Sequence, residues 1–198
     1  MRTTLTLALI LGLTCSATPA FAAKKRGPGK PTPNRVTEQC KDLQGDDAEG
    51  CRVIGTYLDL WKQQKWAELK KLQHPKTQEK IANVKKMVGE DRHPMAPWYW
   101  AKETYILQDY KVDSVEKAAM GTVVVNTTET TYRVEEDGFA EGDNASYLAG
   151  KYKGRWYVVD RRGGGGGFDK TAIEVGMKGY FDAPPAAAAE PKADAAAE

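Results

Sequence analysis

The sequence predicts an α+β fold, with N-terminal helices packed on a strongly curved antiparallel sheet that forms a cone-like roll. Apolar residues recur at helical spacing before residue 90, whereas β-branched residues and alternating patterns dominate after residue 105. Turn-forming glycines separate the later segments. Segregation of helices from strands is typical of domains in which one face of a sheet buries its apolar residues under helices.

Helices are predicted in the first half of the domain. Ile54, Leu58 and Trp61 lie on one helical face, whereas Trp66 and the two leucines after it follow a different phase. The polar run at 62–65 therefore predicts a bend between two helical pieces. A further helix is predicted to run from Pro75, along the apolar stripe Ile81, Val84 and Val88, to a terminating Gly89.

An antiparallel meander is predicted after an aromatic loop at 93–105. Tyr110, Val112 and Ser114 alternate with charged neighbours, and the segment 120–134 is rich in β-branched residues. The remaining predicted features are a turn at Asp137-Gly138 and strands at 145–152 and 155–160, which are joined by the tight turn Lys153-Gly154.

Two stretches give the chain a resemblance to a known family. Trp61, Trp66 and Leu69 form a W-x4-W-x2-L bend before a His-Pro pair, and the closing hairpin at 152–160 reads YKGRWYVVD. With this order of elements, residues 51–160 resemble the nuclear-transport-factor-two-like superfamily, which includes ketosteroid isomerase and polyketide cyclase relatives. The resemblance implies a cystatin-like α+β roll whose sheet closes around a pocket. Members of the superfamily range from enzymes to binding and structural domains.

Residues 1–22 have the features of a signal peptide. An arginine precedes an apolar stretch at 5–13, and the tripeptide Ala-Phe-Ala that ends at Ala22 fits the pattern cleaved by signal peptidase. The stretch is shorter than the about 20 residues that span a bilayer, so export to the periplasm or the extracellular space without an integral membrane span is predicted. Lipidation at Cys15 is the alternative, but Thr14 is a poor match to the residue that usually precedes a lipoprotein cysteine.

One folded domain is predicted at 36–182. A basic, Pro- and Gly-rich linker at 23–35 precedes it, and an Ala/Pro/Glu tail at 183–198 follows it. The formal net charge is +2, so no global excess of charge points to nucleic acid.

Loss of the signal peptide leaves Cys40 and Cys51 as an even pair in an oxidising compartment. A structural disulfide is therefore expected, with a stabilisation of about 3 kcal/mol from loop closure. Neither a CxxC spacing nor neighbouring histidines favour a redox or metal site, and no cofactor is predicted.

The segment VVDRRGGGGGFDKT at 158–171 has two interpretations. A phosphate-binding loop of the G-x4-G-K-[ST] type needs a second glycine where Asp169 stands, although Lys170 and Thr171 match. A carboxylate at that position opposes an anion, so a flexible joint after the last strand is favoured. The chain beyond the glycines is expected to fold back as a short strand, with the alternating residues Ile173, Val175 and Met177.

The aromatic residues Trp98, Tyr99 and Trp100, with Tyr105 nearby in sequence, are the best candidates for ligand binding. Flat rings with polar edges can line a pocket or stack on a flat ligand. The same rings could instead plug the wide end of the sheet as core, which is the more frequent role of large aromatics.

Few residues are candidates for acid–base chemistry in the pocket, and none matches an isomerase or dehydratase motif. His74 and His93 each precede a proline, so both are expected in surface loops, and no metal site is predicted. The acid–base candidates are Asp113 on a predicted strand, Tyr57, Tyr105, and Asp160 at the end of the last predicted strand. Tyr57 and Asp113 also belong to the predicted ligand-binding set, together with Tyr105 and the aromatic residues at 98–100.

The sequence leaves three hypotheses of function. The favoured one is an exported, non-catalytic domain that binds a small apolar or amphipathic ligand, or a partner in the cell envelope, at the mouth of the cone. The second is an isomerase- or cyclase-like enzyme that uses a buried Asp or Tyr as general base. The third is an envelope scaffold whose basic linker and Ala/Pro tail tether it to wall polymers.

Overall fold

The computed structural model describes residues 39–134, 136 and 138–181. The predicted signal peptide, the predicted linker and the predicted tail all lie outside the described residues. In the described part, four helices precede a four-stranded antiparallel sheet and a fifth helix follows it. The predicted α+β class, with helices before the sheet, is therefore confirmed.

The helices before the sheet follow the predicted order. The bend after residue 62 is confirmed, and Gly89 ends its helix in the left-handed conformation, with φ of 82°. On the predicted apolar stripe of this helix, Ile81 is buried and Val88 is exposed. These helices are α1 (Gly45–Lys62), α2 (Trp66–Leu72), α3 (Pro75–Val88) and α4 (Pro97–Glu103).

The predicted aromatic loop contains α4, so the expectation of a loop throughout this segment is wrong. Pro97 occupies the first turn of the helix, where a missing N–H costs nothing, and its fixed φ favours the helical conformation. The prolines of this segment therefore start a helix as well as shaping a turn.

The sheet is an open meander in which each strand pairs with the next, and it does not close on itself. The predicted turn at Lys153-Gly154 is confirmed, with φ of 51° and 74°, the left-handed values that a tight two-residue hairpin needs. The last two strands are longer than predicted. The strands are β1 (Tyr105–Lys117), β2 (Val123–Arg133), β3 (Gly138–Tyr152) and β4 (Arg155–Gly163).

Helix α1 lies across the inner face of the sheet and forms the main core. Ile54, Leu58 and Trp61 are all fully buried there, as their spacing predicts. A Cβ atom built on Gly50 would lie 2.6 Å from Cβ of Val123, so the glycine lets the helix backbone approach β2 closely.

The outer face of the sheet is covered by α5 (Lys170–Gly176), which replaces the short strand predicted there. Ile173 and Met177 are buried on one helical face in a second apolar cluster, whereas Val175 is exposed. The side chain of Asp169 accepts a hydrogen bond from the backbone N–H of Ala172 and caps the helix. Capping and helical burial together explain why the strand prediction is wrong.

The glycine run begins inside the sheet. Strand β4 extends past Asp160 to Gly163, and the N–H of Gly164 donates to the carbonyl of Asn144 at 2.9 Å. Gly164 and Gly165 have φ of 70° and 75°, a conformation that favours glycine, and they turn the chain towards α5.

His74 is fully buried, so the prediction of a surface loop is wrong for this residue. Its Nδ1 accepts a hydrogen bond from the N–H of Lys76 at 3.1 Å and thereby caps α3. Its Nε2 lies 2.8 Å from the carbonyl oxygen of Tyr180, and the two rings stack with centroids 4.9 Å apart. The histidine is buried because it joins the start of a helix to the end of the described chain.

Cys40 and Cys51 are paired as a disulfide, as predicted, with Cα atoms 5.9 Å apart. The pair lies at the start of α1 and packs against Leu43 and Val115. None of the described helices has both the length and the apolar character needed to cross a membrane.

Candidate functional site

The inner face of the sheet changes from apolar to polar along β2. Val123 and Val125 are buried under the helices, and Glu129 and Arg133 follow in the same phase of the strand. Side chains at alternate positions share one face, so these two charged residues also lie on the inner face. Glu129 is fully buried, which is rare for a carboxylate without a partner.

Arg161 on β4 is the partner of Glu129. Its Nη2 donates to Oε2 of Glu129 at 2.7 Å, and its Nε donates to the hydroxyl of Tyr147 at 2.9 Å. The Tyr147 hydroxyl in turn donates to Oε1 of Glu129. Both carboxylate oxygens and two guanidinium nitrogens are therefore engaged in one buried network.

Aromatic rings surround the Arg161 guanidinium. Its carbon lies 5.5 Å from a ring centroid of Trp61, 5.7 Å from that of Tyr147 and 6.0 Å from that of Tyr105. Cation–π contacts of this kind hold a guanidinium in place within a partly apolar setting. The position of Arg161 is thus fixed on several sides.

A second ion pair lies further along the same face. Nη2 of Arg133 donates to Oδ2 of Asp143 at 2.7 Å, and the Thr131 hydroxyl donates to the same oxygen at 3.0 Å. About a third of each charged side chain is exposed, with 31% for Arg133 and 37% for Asp143. This pair therefore faces solvent, unlike the buried pair beside it.

A pocket of about 440 Å³ opens between these residues. Its volume falls within the roughly 300–1,000 Å³ of small-molecule sites. Its wall combines charged side chains, one aromatic ring and the exposed backbone of glycine residues. The lining residues are Tyr105, Arg133, Gly142, Asp143, Asn144, Arg161, Gly163 and Gly164.

The phenol groups of the tyrosines in this region are protonated, so they can donate hydrogen bonds but cannot act as bases. Burial raises the pKa of Tyr57, Tyr105 and Tyr147 above the usual value for a phenol. All three are therefore protonated at neutral pH. The pocket can offer guanidinium N–H groups and a phenolic O–H to a ligand.

The structure separates the residues that the sequence grouped as a ligand site. Tyr105 lines the pocket, and Tyr57 lies buried behind it, with its ring centroid 6.2 Å from that of Tyr147. Trp98, Tyr99 and Trp100 lie on α4, half-buried, and do not line this pocket.

Trp98 lines a different groove of about 270 Å³ between α2 and α3. Its indole N–H donates to Asp91 at 2.8 Å, and the ammonium of Lys70 lies 4.1 Å from its ring centroid. The lysine covers the ring on that side, which disfavours stacking of a flat ligand there. Tyr99 and Trp100 are likewise hydrogen-bonded within this segment, to Glu90 and to the carbonyl of His93.

The predicted acid–base carboxylates lie outside the pocket. Asp113 is exposed on β1, where it accepts a hydrogen bond from Thr128 at 2.6 Å. Asp160 is partly buried, and burial raises the pKa of its carboxyl group. The charges of Lys80 and His93 act on this carboxyl group, and Asp160 does not line the pocket. His93 is half-buried rather than on the surface.

Sequence reasoning missed the charged residues of the pocket. Glu129 is in phase with Val123 and Val125, which is a signal for the inner face. Arg161 gives no such signal, because a bulge between β3 and β4 shifts its phase relative to Val158. The other missed residues are Arg133, Asp143 and Tyr147.

Within the described residues, no group of three or more His, Cys, Asp or Glu side chains could hold a metal ion. Comparison with protein-family models, with curated proteins and with solved structures finds no match to this chain. The functional interpretation therefore depends on the pocket and its residues.

Proposed function

We propose that this protein is a non-catalytic binding domain that holds a small amphipathic ligand in the pocket on the inner face of the sheet. The supporting observation is a pocket of about 440 Å³ whose wall places two guanidinium groups beside an aromatic ring and bare glycine backbone. Membership of the nuclear-transport-factor-two-like superfamily and a cone-like curvature of the sheet belong to the same proposal. So does export to the cell envelope, which the features of residues 1–22 support.

The charged wall favours an amphipathic ligand over a purely apolar one. An apolar ligand would remove water from Arg133, Asp143 and Arg161 without replacing its hydrogen bonds, which is costly. A ligand with one polar end and an apolar remainder can satisfy the charged groups and still cover the Tyr105 ring.

The state of the ionisable groups favours binding over general-base catalysis. The raised pKa of Tyr105 keeps its phenol protonated, and the carboxylate of Glu129 has both oxygens engaged. Asp143, the carboxylate in the pocket wall, is held by Arg133 and by Thr131. A base that is already paired in this way is poorly placed to take a proton from a substrate.

A blocking substitution tests the proposal. A Cβ atom at position 163 meets only Nη1 of Arg161, at 3.5 Å, so Gly163→Leu should place a side chain in the pocket without a backbone clash. Gly167→Leu is the matched control, because open space surrounds Gly167 and it does not line this pocket. The probes are octanoate, octan-1-ol and octylamine, titrated while amide NMR spectra are recorded.

At least one probe is expected to shift the amide resonances of the pocket residues in the wild type and in Gly167→Leu. Gly163→Leu is expected to weaken that binding by about tenfold or more, since it fills the space that the probe occupies. Failure of all three probes to bind, or equal binding to Gly163→Leu, would overturn the proposed function.

A further inference from the structure

We propose that the pocket recognises its ligand through a single carboxylate group, which Arg161 and Arg133 hold together. This inference rests on the proposed function and names the chemical class of the ligand for the same site. Two observations support it: each guanidinium group has at least one nitrogen without an acceptor among the described residues, and the charges around the pocket favour one negative charge on the ligand.

Arg161 presents one unused nitrogen to the pocket. Its Nε and Nη2 donate to Tyr147 and Glu129, whereas its Nη1 has no hydrogen-bond acceptor within the described part of the chain. Nη1 lies 3.5 Å from where a Cβ of Gly163 would stand, so it points to the glycine side of the pocket. A ligand there meets an N–H donor whose orientation is already fixed, so little ordering is needed on binding.

The buried carboxylate beneath Arg161 does not meet the ligand. Glu129 is absent from the pocket wall, and both of its oxygens already accept hydrogen bonds. Only 12% of the Arg161 side chain is exposed, so an oxyanion that reaches it is shielded from bulk water. Charge-assisted hydrogen bonds are strongest in such surroundings.

Arg133 supplies the second contact. Its Nη2 is held by Asp143, whereas its Nε and Nη1 donate to no acceptor among the described residues. A guanidinium is a planar fork that matches the two oxygens of a carboxylate, so Arg133 can bind Asp143 and a ligand at once. The phenol of Tyr105, which burial keeps protonated, lies on the same wall as a further donor.

The charges around the pocket favour a ligand with one negative charge over a ligand with two. Arg133 and Arg161 carry positive charge in the pocket wall. Asp143 and the Glu129 carboxylate that pairs with Arg161 carry negative charge, so the charges of these four side chains sum to zero. A carboxylate adds one negative charge close to the two guanidinium groups, whereas a doubly charged phosphate adds two negative charges beside Asp143. Repulsion between like charges in a partly buried site is costly, which favours the carboxylate.

Head-group comparison on one alkyl chain tests this inference. Octanoate, octan-1-ol, octylamine and octyl phosphate are titrated into the wild-type protein by NMR. Octanoate is expected to bind about tenfold more tightly than the alcohol or the phosphate, and the amine is expected to bind most weakly. The side-chain resonances of Arg161 should shift with octanoate and not with octan-1-ol.

Arg133→Gln is the informative variant, because Arg133 is partly exposed and does not touch the buried Glu129 network. It should weaken octanoate binding by about tenfold and change octan-1-ol binding by less than about twofold. Arg162→Gln is the matched control, since the Nη1 of Arg162 donates to the carbonyl of Gly167 outside this pocket. It should bind octanoate as the wild type does.

The outcomes separate this inference from the proposed function. Equal binding of octanoate and octan-1-ol, tighter binding of octyl phosphate, or an Arg133→Gln variant with unchanged octanoate affinity would each overturn the carboxylate assignment. If Gly163→Leu still blocked the probes, the pocket itself would stand as the binding site. Loss of binding for every probe overturns the proposed function and this inference together.

Discussion

The inner face of the sheet has two halves that differ in how they are stabilised. In the apolar half, Val123 and Val125 pack against α1, and Gly50 lets the helix approach the strand. In the polar half, Glu129 occupies the same face of the same strand and is just as buried, but it is held by Arg161. Strand alternation determines which face a side chain occupies, whereas partners on other strands determine whether a charge can be buried there.

The two halves therefore respond differently to substitution. Burial of apolar surface is non-directional, so the apolar half loses stability in proportion to the atoms removed. A buried ion pair combines a large desolvation cost with attraction that depends on geometry, so removal of one partner leaves an uncompensated charge.

The largest expected effect is in the polar half. Glu129→Ala should lower the free energy of unfolding by about 3–5 kcal/mol, because it leaves the Arg161 guanidinium buried without its carboxylate. Urea denaturation measures this loss. Asp143→Asn is the matched control, and it should cost at most about 1 kcal/mol, because its ion pair with Arg133 is about a third exposed.

Replacement of the whole buried network by apolar side chains should be less destabilising than removal of one partner. A triple variant with Glu129→Leu, Arg161→Met and Tyr147→Phe is expected to recover most of the stability that Glu129→Ala loses, since no buried polar group is left unpaired. It should also lose octanoate binding. A triple variant that is as unstable as Glu129→Ala would mean that the network makes a net contribution to folding.

In the apolar half, Leu58→Ala should lower the free energy of unfolding by about 2–5 kcal/mol, since the side chain is fully buried between α1 and the sheet. The conservative Leu58→Met should cost less than about 1.5 kcal/mol. Both variants should retain the octanoate affinity of the wild type when folded. A selective loss of octanoate affinity in either variant would contradict the separation of the two halves.

The smallest expected effect concerns His74, which lies outside both halves. Burial lowers the pKa of His74, so the folded protein favours the neutral ring, and the unfolded chain binds more protons. Its Nδ1 accepts from Lys76, and protonation would remove that acceptor. Stability from this residue is therefore complete above about pH 6.5 and falls as the pH is lowered below that value.

The loss should not exceed about 1.4 kcal/mol for each pH unit below that point, and His74→Gln should reduce the slope of stability against pH. Burial also lowers the pKa of His93, so His93→Gln is a comparison variant that keeps the contribution of His74. NMR titration of the ring protons gives the pKa directly. A His74 that titrates above pH 6.5 would contradict the prediction.

Local patterns in the sequence predicted most of the secondary structure. The apolar face of α1, the bend after residue 62, the turn at Lys153-Gly154 and the pairing of Cys40 with Cys51 all follow from residues close together in the chain. Such features depend on residue spacing and on the backbone angles that a few residue types prefer, and both can be inferred from a sequence.

The segment after the glycine run shows where local pattern fails. Ile173, Val175 and Met177 fit a strand by alternation, but Ile173 and Met177 are also four residues apart and fit one face of a helix. That face packs in one apolar cluster with Val124 and Leu148 on the outer side of the sheet, and this packing favours the helix over a strand. A segment this short does not contain enough repeats for its own sequence to distinguish the two periods.

The order of helices and strands, the class of the fold and the disulfide-forming cysteines can be predicted from the chain alone, because short-range spacing controls each of them. The pocket, in contrast, depends on contacts between strands that are distant in sequence. Glu129 and Arg161 are far apart in the chain, and a bulge sets the direction of Arg161, so pairing between strands was needed to bring the two charges together. A buried charge is stable only beside its partner, and that partner is specified by the fold rather than by neighbouring residues.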